Sequence, residues 1–128
     1  DWSSDVCSSD LEKLNNLIVH AYHRELEVYN YQINIDNYTN MLLALPSDEW
    51  PESMLQYKDM DILNIPHSVS DEDIQIISDY QYRDRLRSIL RTERVEQNKA
   101  SRVLDSLKLQ IGQDYTTLVA SYNASIIA

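Results

Sequence analysis

Phenylalanine is absent from the 128 residues, glycine and cysteine occur once each, and proline occurs three times. A single cysteine excludes an intrachain disulfide, and a single glycine excludes the glycine-rich loops that cradle phosphates. So little turn material leaves few places for the backbone to reverse, which argues for long helices rich in Leu, Glu, Arg and Gln. No run of about 18 apolar residues occurs, so no membrane span is expected. No serine sits in a nucleophile-elbow context and no Glu-x-x-His pair is present, so neither an activated nucleophile nor a helix-bundle metal site is expected. The chain reads as non-enzymatic, without metal or cofactor.

Residues 1–11, DWSSDVCSSDL, resemble the in-frame translation of a short-read sequencing adapter along their whole length. The resemblance implies that these residues, Trp2 and Cys7 included, stand outside the natural chain, and that the source was shotgun-sequenced, environmental DNA. Setting aside Asp1, Asp5 and Asp10 moves the formal charge from -10 to -7, and leaves Trp50 as the one tryptophan and no cysteine. A cysteine-free chain fits a reducing cytoplasm, of a host cell if the protein is phage-encoded, or a virion.

Apolar side chains then recur at three and four spacings from Leu14 to Leu45: Leu14, Leu17, Ala21, Val28, Tyr31, Ile35, Tyr38, Leu42 and Leu45. This seam predicts a helix over about 12–45, ended by Pro46. A second stripe, Val19, Tyr22, Leu26, Tyr29 and Ile33, falls on nearly the opposite side at about 100° per residue, so this helix is expected to be covered on two faces. Ser70 followed by Asp71, Glu72 and Asp73 signals the start of a second helix, because the serine hydroxyl accepts from a free N–H and the acidic side chains suit the positive helix end. Gly112 predicts its stop near residue 111. At about 1.5 Å per residue such a helix is roughly 60 Å long and needs a long partner. Its seam is Tyr82, Leu86, Ile89, Leu90, Ala100, Val103, Leu104, Leu107 and Ile111, while Ile74, Ile76, Ile77 and Tyr80 lie off that arc, so the helix either bends near Tyr80 or packs its start on the connector. Asp114 is a candidate cap for a short helix over about 114–126 carrying Tyr115, Leu118, Val119, Tyr122 and Ile126 on one face.

The connector over 46–69 holds Trp50, Met54, Leu55, Tyr57, Ile62, Leu63 and Ile65, more apolar mass than a solvated loop carries. It is expected to open a helical turn at Pro51 and to fold over part of the second stripe of the first helix. The fold class is therefore all-α. Residues 12–128 form a single helical domain, a long antiparallel, coiled-coil-like hairpin with a folded connector and a short C-terminal helix.

Charge is segregated along the chain. Residues 12–79 carry thirteen acidic and three basic side chains, whereas residues 80–128 carry five acidic and eight basic ones. Arg83, Arg87, Arg91, Arg94 and Arg102 fall on one strip beside the seam. One reading is a basic face for nucleic acid; the favoured one is a flanking row that pairs with acidic residues of the first helix or of a second subunit, because the whole chain is acidic. Trp50 is a candidate partner contact, against the commoner use of a lone tryptophan as the lid of a small core. Arg24 and Glu25 interrupt the first seam near the level of Glu93 and Gln97 in the second, and the four are candidates for a polar layer that fixes register. His20, His23 and Glu27 share a face and read as a solvated polar edge. Asp48, Glu49 and Glu52 around Trp50 read as a solvated acidic loop. Taken together these features point to a helical interaction, scaffolding or assembly protein, with a protein partner or a second copy favoured over nucleic acid. Small acidic helical chains of this composition are common among tailed-phage accessory proteins.

Overall fold

A computed structural model describes residues 8–127. Two α-helices, α1 (Ser8–Leu43) and α2 (Asp71–Ile127), pack against each other as an all-α helical hairpin, and no strand occurs among the described residues. Ser8–Leu11 of the adapter-like stretch form the first turn of α1, and residues 1–7 lie outside the described residues.

The start of α2 follows the sequence signal. The Ser70 hydroxyl accepts from the Asp73 N–H at 3.2 Å, and Asp71, Glu72 and Asp73 occupy the first turn. At the end of α1 the turn tightens, with Ala44 and Leu45 donating to the carbonyls of Met41 and Leu42, and Pro46 then blocks continuation. Pro51 precedes a 3-10 turn over Glu52–Tyr57, and a second, Ile62–Asn64, is capped by the Asp61 carboxylate accepting from the Leu63 N–H.

The chain divides into two compact units, one of Asp1–Tyr31 with Glu96–Ala128 and a central one of Gln32–Val95. In the first, Leu14 and Ala21 of α1 and Ala100 and Leu104 of α2 are buried, flanked by half-buried Leu17, Val28, Leu107 and Ile111. In the central unit Ile35, Leu86 and Leu90 are buried, and the connector adds a cluster of Trp50, Ile65, Ile77 and Tyr80 against which Met54, Tyr57, Met60, Ile62, Val69 and Ile74 pack. The start of α2 therefore packs on the connector. Val19, Tyr22, Leu26, Tyr29 and Ile33, the second stripe of α1 that was expected to be covered in part, are all exposed.

Three expectations need correction. Tyr82, Ile89 and Val103 are about two-fifths exposed and flank the seam of α2, whose line runs through Arg83, Leu86, Leu90, Glu93, Gln97, Ala100 and Leu104. Gly112 does not stop α2. No described residue has a positive φ, so the left-handed cap that would favour glycine is not formed. There is no separate helix over 114–126: Asp114 accepts from the Gln110 side chain at 2.7 Å, and the Thr116 hydroxyl donates to the Gly112 carbonyl at 2.8 Å, both within one continuous helix. Half-buried Ile111, Asp114 and Leu118 carry the seam past the glycine, and the favourable residues around it outweigh a helix-interior cost of about 1 kcal/mol.

A methyl group on Gly112 would meet nothing within 4 Å. Gly112→Ala should therefore raise stability in urea unfolding by about 0.5–1 kcal/mol, whereas a helix-ending glycine would give a loss.

Candidate functional site

The central unit is built around a buried arginine. Arg83, 3 % exposed, sends Nη1 to the carbonyls of Pro46 at 3.2 Å and of Asp48, while Nε and Nη2 donate to Asp84 Oδ1 at 3.2 and 3.1 Å. Its guanidinium also lies 4.7 Å from the centre of the Tyr80 ring. Only an arginine offers donors in several in-plane directions and a flat face for the ring at once. The other oxygen of Asp84 accepts from Trp50 Nε1 at 2.8 Å, and Tyr80 donates its hydroxyl to Asp48 Oδ1 at 2.7 Å. Trp50 and Tyr80 are tilted against each other at 5.1 Å. Gln81 completes the attachment by donating to the carbonyls of Tyr57 and Met60 at 2.9 and 2.7 Å.

The electrostatics follow from this geometry. Partial burial pushes the Asp84 carboxyl upward, but the Trp50 hydrogen bond and then the hydrogen bonds and charge of Arg83, with Lys58 adding to them, hold its pKa below the usual value. The Tyr80 phenol is pushed above its ordinary value, first by its hydrogen bond to Asp48, then by burial and the Asp48 charge, against the lowering effect of Arg83.

Arg83 and Trp50, two of the candidate partner contacts, are both buried and bonded inside the unit. Of the arginine strip, Arg87, Arg91 and Arg94 in the central unit and Arg102 in the other unit are exposed and make no ion pair or hydrogen bond among the described residues. Among the described residues this row makes no ion pair with the acidic residues of α1. Beside it runs an open groove of about 870 Å³, walled by Lys58 to Ile62 of the connector on one side and by α2 from Gln81 to Arg91 on the other.

The expected polar layer is not assembled as four residues. Arg24 turns along its own helix to Glu27 at 2.9 Å and to His20 at 3.4 Å, and Glu25 is exposed. Glu93 instead accepts from Asn34 at 3.3 Å, and Gln97 donates to the Val28 carbonyl at 3.4 Å. The helices are offset from the expected level, so Glu93 and Gln97 meet residues further along α1 than Arg24. Among the described residues no three His, Cys, Asp or Glu side chains converge in a way that would hold a metal ion.

The Arg83 contacts were missed in the sequence because an arginine within a row of arginines reads as solvated. A signal was present: stepping back in threes from Leu86 lands on Arg83, Tyr80 and Ile77, which carries the buried line through the arginine. Arg83→Met keeps the stem but leaves Asp84 and two carbonyls without their donor, and should cost roughly 2–3 kcal/mol in denaturant unfolding. Because the pKa of Asp84 is depressed in the folded state, its contribution is full above about pH 4 and is lost as pH falls through the folded value. Asp84→Asn should accordingly lower the melting temperature at pH 7 and flatten its fall on acidification; an acid limb identical to that of the parent would remove Asp84 from the account.

No protein-family model matches the chain, and neither the curated proteins nor the solved structures contain a significant match.

Proposed function

We propose that the protein is a non-enzymatic helical scaffolding or assembly protein that associates with a second copy of itself through the uncovered face of α1. The observation that carries this reading is the exposed stripe of Val19, Tyr22, Leu26 and Tyr29, with Tyr22 and Tyr29 59 % and 63 % exposed. Apolar side chains at three and four spacings on one solvent-facing strip are the pattern of a second helix-packing surface. The line of this strip holds Asn15 and no formally charged side chain, with Glu25 at one edge and His23 at the other, in a chain of net charge -10. A two-fold interface sets a surface against its own copy, so an uncharged strip is the part of an acidic chain that self-associates without like-charge repulsion. The compositional likeness to tailed-phage accessory proteins supports an assembly role.

A second reading, a nucleic-acid accessory protein using Arg87, Arg91, Arg94 and Arg102, is favoured by the lack of ion pairs at those residues. Against it stand the acidic balance of the chain and the few aromatic side chains beside the row.

Sedimentation equilibrium separates self-association from a monomer. The parent chain should run as a dimer or larger in the micromolar range, and Leu26→Glu or Tyr22→Glu should shift it to monomer with helical circular dichroism retained. A parent that stays monomeric, or an assembly indifferent to both substitutions, defeats the reading.

A further inference from the structure

The groove between the connector and α2 has a lining that the α1 stripe does not account for. Arg87 and Arg91 sit one turn apart on its α2 wall, which Ser88 also lines, and Lys58 stands on the connector wall. Neither arginine has an ionic or hydrogen-bonding partner among the described residues, although carboxylates are close at hand. Asp84 is engaged by Arg83 and Trp50, and Asp61 caps the turn that follows it. Of the carboxylates lining the groove Asp59 makes no such contact among the described residues, so Arg87, Arg91 and Lys58 outnumber the acid left to meet them.

We infer that this groove binds an acidic segment of a protein partner. Two features of the lining favour a peptide over a polyphosphate. Asp59 and Asp61 line the connector wall, so a continuous phosphate backbone would meet carboxylates as well as arginines, whereas a peptide can set its own carboxylates at Arg87 and Arg91 and amides elsewhere. Half-buried Met60 and Ile62 give that wall an apolar stretch, which suits aliphatic side chains and offers nothing to a phosphodiester. Tyr82 is engaged under Arg85, at 5.9 Å, and forms no platform for stacking bases. The site lies wholly within the central unit and is distinct from the α1 stripe.

The test uses the full chain and three fluorescent probes at low salt: a peptide of alternating Glu and Leu helical turns, the same peptide with Gln for Glu, and a single-stranded oligonucleotide. The acidic peptide should bind, lose affinity as salt rises from about 0.05 M to about 0.5 M, and bind about tenfold or more weakly to the Arg87→Ala/Arg91→Ala variant. Leu26→Glu should leave this binding unchanged, so failure at the α1 stripe and failure at the groove are told apart. No binding of the acidic peptide, equal binding of the Gln peptide, or tighter binding of the oligonucleotide overturns the inference. So does a loss of self-association in the double arginine variant without peptide binding in the parent, which would make a second copy the occupant.

Discussion

The central unit depends on where the Arg83 charge is put. A guanidinium that is 3 % exposed has given up its water, and it is tolerable there because two backbone carbonyls, a carboxylate and an aromatic face replace it. The two carbonyls belong to Pro46 and Asp48, at the start of the connector, so the cation fastens that start to α2. Gln81 fastens its middle. Trp50 and Ile65 are then drawn over Ile77 and Tyr80, and the tryptophan becomes a lid whose N–H is held by Asp84. Removing the guanidinium would strand polar groups on both sides of this contact, which is why the cost is set by desolvation more than by the strength of any one hydrogen bond.

Two helices sharing one seam can bury only a narrow stripe each. The connector enlarges the core of the central unit, but it does so on α2, through Ile74, Ile77 and Tyr80. Nothing among the described residues covers Val19, Tyr22, Leu26 and Tyr29. A chain of this size buries a modest share of its apolar surface on folding, and association is a common way of burying more. The tyrosines suit such a face, because each offers a large apolar ring for contact and a hydroxyl that stays satisfied by water in the free chain.

Periodicity located the α1 seam, where Leu14, Ala21 and Ile35 are buried as the spacing predicts, because a three–four repeat has one geometric solution on a helix. Local chemistry located the boundaries at Pro46, Pro51 and Ser70, since proline geometry and a serine cap act within one turn. Gly112 misled because a glycine marks a helix end only when its backbone turns left-handed, and whether it does depends on the packing of Ile111 and Leu118 on either side. Arg24, Glu93 and Gln97 are seam interruptions as read, yet their partners follow from the offset between two helices, which no single-helix pattern encodes. At the candidate site the strip was legible as a row of arginines, while the burial of its first member was not, since it required the carbonyls of residues more than thirty positions away.

That distinction gives the charge segregation a physical sense. If the arginines of α2 existed to neutralise the acidic half of the chain, the nearest carboxylates would close on them. Instead Asp84 turns inward to Arg83 and Trp50, Asp61 closes its own turn and Asp48 takes the Tyr80 hydroxyl, contacts that shape the connector and tie it to α2. In the central unit, pairing of these acids therefore holds the connector in place, and Arg87 and Arg91 keep their charge at the edge of a groove that the connector itself creates. In a chain of net charge -10 such a region attracts acidic ligands only at short range, because beyond about 8–10 Å in physiological salt the overall negative field prevails. A partner held there must consequently reach into the groove to be recognised, a constraint that selects a narrow acidic segment over a broad polyanionic surface.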